Sequence, residues 1–121
     1  MTSNRHIISP ATQDAIKEAG KLIVNGELIA FPTETVYGLG GDATNDKAIA
    51  KIFSAKERPK FNPLIVHFHH IESVKKAVLF DDRANKLSSI FWPGALTLVL
   101  PRVPNCKISL LASAGLGTIA V

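Results

Sequence analysis

The 121-residue chain has one cysteine, one tryptophan, one tyrosine and one methionine. With Cys106 as the sole thiol, no intrachain disulfide can form and no second thiolate is present for a zinc site. That usage fits a reducing compartment. Cys106 also has no histidine near it in sequence, so nothing marks it as a nucleophile. No stretch reaches the roughly 20 apolar residues that cross a bilayer, and the N-terminus lacks a signal-peptide apolar segment. A cytoplasmic protein with no membrane partner is expected. Two common phosphate-binding signatures are missing as well. No Gly-Lys-Ser/Thr follows a glycine cluster, and the glycines do not fall into the GxGxxG pattern. Internal repeats and low-complexity linkers are absent.

What remains is the composition of one globular domain. Hydrophobic residues make up 46% and charged residues 20% of the chain, enough for a single core over residues 1–121 and too little length for two. The formal charge of +4 favours an anionic partner without identifying it. Most basic residues are scattered; only Lys56, Arg58 and Lys60 sit close together. Lys75 and Lys76 suit a solvated helix face.

Ser9-Pro10 offers a helix start, and Ile16, Ala19, Leu22 and Ile23 recur at helical spacing until Asn25-Gly26 stops them. A buried strand over 27–31 is expected next, delivering residues 33–41 as a loop. Thr44-Asn45-Asp46 suits a second helix start, with Ile49, Ile52 and Phe53 as its buried stripe and Lys56 and Arg58 at or just past its end. A strand over 64–68, helices over 71–78 and 81–91, and a strand over 96–100 complete the order αβαβααβ. Such interleaving predicts an α/β fold, an open twisted mixed sheet with packed helices. Thr118 to Val121 read as the opening of a fourth strand, which suggests a domain truncated at its C-terminus; a complete small protein with a terminal edge strand is the alternative.

Chemistry concentrates between residues 31 and 67. Gly38, Gly40 and Gly41 can bring backbone amides close to an anion, or simply form a tight turn. In extended backbone, Thr33 and Thr35 share one side and Glu34 the other, although threonines after a strand are often turn formers. Lys56 and Arg58 complement a helix C-terminus with no ligand at all, yet the Pro59-Lys60-Phe61-Asn62-Pro63 loop would fix them for an anion. His67 is expected on the strand face opposite Leu64, Val66 and Phe68, together with Ile65 and His69. A metal site on His67 and His69 lacks a convincing third ligand. Trp92, before Pro93-Gly94, reads as a core cap at a helix end sooner than as a base-stacking platform.

Three motifs together carry a resemblance. Pro32 to Gly40 reads Pro-Thr-Glu-Thr-Val-Tyr-Gly-Leu-Gly, Lys56 to Pro59 reads Lys-Glu-Arg-Pro, and Pro63 to His67 reads Pro-Leu-Ile-Val-His. In this order they resemble the YrdC-like threonylcarbamoyl-AMP synthases, and the likeness continues through Trp92-Pro93-Gly94-Ala95-Leu96-Thr97 and Gly117 to Val121. The resemblance implies a nucleotidyltransferase that condenses L-threonine, bicarbonate and ATP into threonylcarbamoyl-AMP and pyrophosphate. That is the first step toward N6-threonylcarbamoylation of adenosine 37 in ANN-reading tRNAs. It also implies that Thr35 and His67 contact threonine and that Lys56, Arg58, Asn62 and Thr118 contact ATP. Thr33, Tyr37 and Gly38 would form a loop near the site. Mg²⁺ would accompany ATP, and tRNA-modification proteins, tRNA or double-stranded RNA would be partners.

Family domains continue past the last strand with a further basic residue and a Ser-x-Asn segment, so the chain is expected to hold about two-thirds of the catalytic domain. Three other readings compete. The related domain of hydrogenase-maturation carbamoyltransferases would come with a cysteine-rich module, and none precedes Phe31. An RNA-binding YrdC-like module would need a continuous basic surface and steep salt dependence. A regulatory module without turnover is compatible with a truncated domain.

Overall fold

Helices begin in this chain where a side chain can accept the unpaired N–H groups of a first turn. The computed structural model describes residues 8–121. Helix α1 covers Gln13–Val24, and Thr12 Oγ1 accepts from the Ala15 amide at 3.1 Å. The cap is thus Thr12, not Ser9, and the helix starts three residues later than the proline suggested. Asn45 Oδ1 accepts from the amides of Lys47 and Ala48 at 3.0 and 3.1 Å and opens α2, Asp46–Ala55. His70 Nδ1 caps α3, Ile71–Ala77, and Asp81 caps α4, Asp82–Phe91. Helix α1 ends as expected at Asn25-Gly26. Gly26 has φ +82°, and the Glu27 amide reaches back to the Leu22 carbonyl at 2.9 Å, the reversal that left-handed glycine permits.

The strands are short: β1 Ile29–Phe31, β2 Gly38–Gly40, β3 Val99–Pro101 and β4 Thr118–Ala120. β1 and β2 form an antiparallel hairpin, Ile29 opposite Gly40 and Phe31 opposite Gly38. β3 and β4 form a second antiparallel pair, Val99 opposite Ala120 and Pro101 opposite Thr118. On its other side β4 meets the 64–68 segment through a single parallel bridge, Ile65 to Ala120, with the Val66 amide donating to the Ala120 carbonyl at 2.8 Å. The expected strand over 64–68 is therefore one bridge long. Its Leu64 amide is diverted to the Ala112 carbonyl at 2.9 Å, which takes the backbone out of the ladder. The expected alternation survives: Val66 is buried, while Ile65, His67 and His69 are exposed.

The core lies around β4. Ile119 and Val78 are 1% exposed, and they cluster with Ile49, Ile52 and Phe53 of α2, Val74 and Ala77 of α3, and Ile108 and Ala112 of the loop before β4. Burial of that stripe is what turns the α2 sequence into a stable helix. Helix α1 differs. None of its residues is buried, and Ile16 is 60% exposed, because its partner among the described residues is the narrow β1 hairpin and not a broad sheet. The β1 strand, expected to be buried, is also open, with Phe31 exposed. Trp92 takes the core-capping role, its indole N–H donating to the Leu96 carbonyl at 2.8 Å while its ring packs on the main cluster beside Phe80.

Asp81 gives the fold an acid-sensitive joint. The Ala84 amide, at 2.9 Å, and then the Arg83 side chain, at 3.1 Å, hold its carboxyl below the ordinary aspartate value. A lowered folded pKa adds stability above the unfolded value that is lost as pH falls through the folded one. Asp81→Asn, which keeps the capping oxygen, is expected to flatten the acid limb of a thermal-stability profile below about pH 4. An unchanged acid limb in that variant would remove Asp81 from the account.

Candidate active site

The hairpin turn is held by local hydroxyl chemistry. Thr33 Oγ1 donates to the Val36 carbonyl and accepts from the Thr35 amide at 3.3 Å, and the two threonine hydroxyls lie 3.4 Å apart. The two hydroxyls meet, but in a bend and not in extended backbone, with Thr33 as a turn former. Thr33, Thr35 and Tyr37 are all exposed at the hairpin's turn.

Gly38 is not in that loop. Together with Gly40 it forms β2, and neither has positive φ. The glycines serve close approach instead: an added Cβ would lie 3.2 Å from the Phe31 ring at Gly38 and 2.8 Å from it at Gly40. The expected glycine turn is a strand because residues 38–40 pair with 29–31, and the Phe31 ring lies close over its glycines. At Gly41 a Cβ would meet Leu28 Cδ2 at 2.8 Å, where the hairpin packs toward α2. Lys51 of α2 fastens the hairpin's base by donating to the Gly26 carbonyl at 3.1 Å, with Glu27 3.7 Å away.

The cationic loop leaves α2 through a tight reversal. Lys56 caps the helix, Glu57 has φ +50°, and the amides of Glu57 and Arg58 return to the carbonyls of Ser54 and Phe53 at 3.2 and 2.9 Å. This is the hydrogen-bond pattern in which glycine usually holds the left-handed position. Arg58 then turns onto its own loop. Its Nε donates to the Asn62 carbonyl at 3.1 Å and its Nη2 to the Pro63 carbonyl at 2.6 Å, while the Asn62 amide closes a turn onto Pro59 at 3.0 Å. A planar fork with several donors suits such a double contact. Of the side chains the two-proline loop was expected to fix, it holds Arg58; among the described residues no hydrogen bond holds the side chain of Lys56 or Asn62. Lys56 and Asn62 are exposed beside it.

His67 and Thr118 lie on either side of the β4 junction. The single bridge of Ile65 with Ala120 joins the segment that follows Pro63, whose carbonyl Arg58 holds, to the strand that begins at Thr118. Arg58 and Asn62 share the loop before this segment, exposed His67 lies on the segment itself, and Thr118 opens β4. Among the described residues, no hydrogen bond joins the Thr33–Thr35 turn to the Arg58 loop. Sequence reasoning missed Arg102 and Ser113. Arg102 reaches Ser113 Oγ at 3.2 Å and the Ile108 carbonyl, and nothing in the local sequence marks an arginine after a strand as a loop brace.

Residues 21–121 match a family model described as "Telomere recombination", that of Sua5, YciO and YrdC. The chain belongs to this family. It is 47% identical over 107 residues to the threonylcarbamoyl-AMP synthase of Bacillus subtilis (strain 168), an alignment covering 88% of this chain and 31% of that protein. It is 45% identical over 109 residues to the threonylcarbamoyl-AMP synthase of Pyrococcus abyssi (strain GE5 / Orsay), again 88% and 31%. A crystal structure of P. abyssi Sua5 complexed with L-threonine superposes with a TM-score of 0.85 at 41% identity, over 93% of this chain and 33% of that one. E. coli YciO shares the fold, with a TM-score of 0.75 at 21% identity over 90% of this chain and 52% of its own. The chain thus spans about a third of the synthases it matches.

Glu57 is the strained point of the cationic loop. Replacing a non-glycine residue in left-handed backbone by glycine removes a cost of about 1 kcal/mol. Glu57→Gly is therefore expected to raise the urea midpoint with an unchanged denaturant slope. A lowered midpoint would show that the Glu57 side chain contributes more than its backbone costs.

Proposed function

We propose that the chain supplies part of an L-threonylcarbamoyladenylate synthase and contributes residues that meet both threonine and ATP. The observation that carries this reading is its likeness, at 41% identity, to a P. abyssi Sua5 structure complexed with L-threonine. Within it, Thr35 and His67 face threonine, and Lys56, Arg58, Asn62 and Thr118 face ATP. Thr33 and Tyr37 shape the adjoining turn.

The chemistry asks for positioning and positive charge more than for a side-chain nucleophile. The threonine amine takes up bicarbonate with loss of water, giving N-carboxythreonine. Its new carboxylate attacks the α-phosphorus of ATP, the bond from that phosphorus to the bridging oxygen breaks, and pyrophosphate leaves. Gathering three small reactants in one place removes much of the entropic barrier. Charge builds on the leaving pyrophosphate, where lysine and guanidinium donors at the Lys56–Arg58 loop are best placed to act. Magnesium would enter with the triphosphate, held by phosphate and water oxygens. Among the described residues, no group of three or more His, Cys, Asp and Glu side chains stands together to hold a metal ion. The product would pass to partner proteins that transfer the threonylcarbamoyl group to tRNA, in the cytoplasm.

The test is threonine- and bicarbonate-dependent release of pyrophosphate from ATP, read beside direct ATP and threonine binding. Arg58→Ala is expected to cut release at least about tenfold, since it removes a charged donor and frees the loop that carries Asn62. Arg58→Lys keeps the charge but not the two-pronged grip, and should recover only part of the loss. Full activity in Arg58→Ala would take this arginine out of the site. Absence of both binding and turnover in the unsubstituted chain would refute the synthase reading for this polypeptide.

A further inference from the structure

The loop between β3 and β4 is fastened to the start of α2 and to the segment that follows the Arg58–Asn62 loop. Its Ser109 amide donates to the Ala43 carbonyl at 2.8 Å and its Ser109 hydroxyl to Asp46 Oδ1 at 2.5 Å, fastening it to the start of α2. Its Ala112 carbonyl takes the Leu64 amide at 2.9 Å, just past the Arg58–Asn62 loop. Its far end is Gly117, immediately before Thr118. Two left-handed residues, Ala114 at φ +54° and Gly115 at φ +75°, turn the backbone between these anchors. A segment bent this way needs internal partners to hold one shape.

Those partners converge on one hydroxyl and one guanidinium. Ser113 is 2% exposed. Its Oγ accepts from Arg102 Nη1 at 3.2 Å and shares its proton between the carbonyls of Leu110 and Leu116, each at 3.2 Å. Arg102 Nη2 reaches the Ile108 carbonyl. The Arg102 amide adds a bond to the Gly117 carbonyl at 2.9 Å, and Val78 on its other flank bridges to the same residue. One residue thus grips the loop near its start, at its buried centre and at its end.

We infer that Arg102 is a positioning residue, holding the 108–117 loop, through Ser113, in the shape that sets Thr118 at the start of β4 for ATP. This rests on the assignment of Thr118 to ATP. Threonine recognition is not expected to depend on the brace, because His67 is tied to β4 through Val66 and Ala120, and Thr35 lies on the hairpin. Arginine is required for its fork; a lysine has the charge without a second prong in fixed geometry.

Hydrogen exchange and ligand binding on the 121-residue chain test this. In Arg102→Met, which keeps the aliphatic stem, the amides of Ala114, Gly115 and Leu116 should exchange at least about tenfold faster, with Ile52 and Phe53 of α2 unchanged. The dissociation constant for ATP should rise about tenfold and that for threonine should stay within about twofold. Arg102→Lys should restore neither the exchange nor the ATP affinity in full. Unchanged loop exchange, or complete rescue by lysine, would overturn the inference. If the unsubstituted chain binds no ATP, the nucleotide reading fails, and loop exchange alone decides whether the brace exists. Should Arg102→Met unfold globally, Ser113→Ala takes its place, with the same loop-selective exchange expected and a uniform change overturning it.

Discussion

Pairing on both sides of β4 is the constraint on which the rest of the structure depends. Three residues of strand are a weak element alone, since each offers few ladder bonds. β4 is stabilised because Leu98 and Val121 exchange bonds at 2.9 and 2.8 Å on one flank while Ala120 receives Val66 at 2.8 Å on the other. Ile119, between these contacts, is 1% exposed. Loss of either flank would uncover that side chain and expose backbone groups that are now satisfied. The same pairing joins the segment that follows the Arg58–Asn62 loop to the strand that begins at Thr118, so the integrity of the core and the connection between two parts of the candidate site have one physical origin.

The helices were legible in the sequence to the extent that their signals are local. Asn45 as a cap, Asn25-Gly26 as a stop and the Ile49, Ile52 and Phe53 stripe all act within a few residues, and all three appear as read. The strands were less legible because their fate is decided by distant partners. Leu64 to Phe68 has the alternation of a strand, but Ala112 captures the Leu64 amide and leaves one bridge. Gly38 to Gly40 has the composition of a turn, yet pairing with Ile29 to Phe31 makes it a ladder. Of the candidate site, the cationic loop could be read from Lys56, Arg58 and two prolines, while the Arg102–Ser113 brace could not, since its partners are non-local or backbone carbonyls.

The two arginines that organise the region share a mode of restraint that bears on function. Arg58 is held by the carbonyls of Asn62 and Pro63, and Arg102 by the Ile108 carbonyl and the Ser113 hydroxyl. The ion pairs among the described residues, Lys51 with Glu27, Lys75 with Glu72 and Arg83 with Asp81, involve neither arginine nor Lys56. A carboxylate partner would fix a guanidinium equally well but would cancel its charge at a distance. Neutral oxygens orient the group and leave the positive field intact. A cation restrained in this way has already lost much of its side-chain freedom when an anion arrives, and it meets that anion with its full charge. The cost of ordering is met during folding, by the same backbone contacts that shape the loop, so a phosphate group approaching Arg58 would gain electrostatic stabilisation from a donor already held in place.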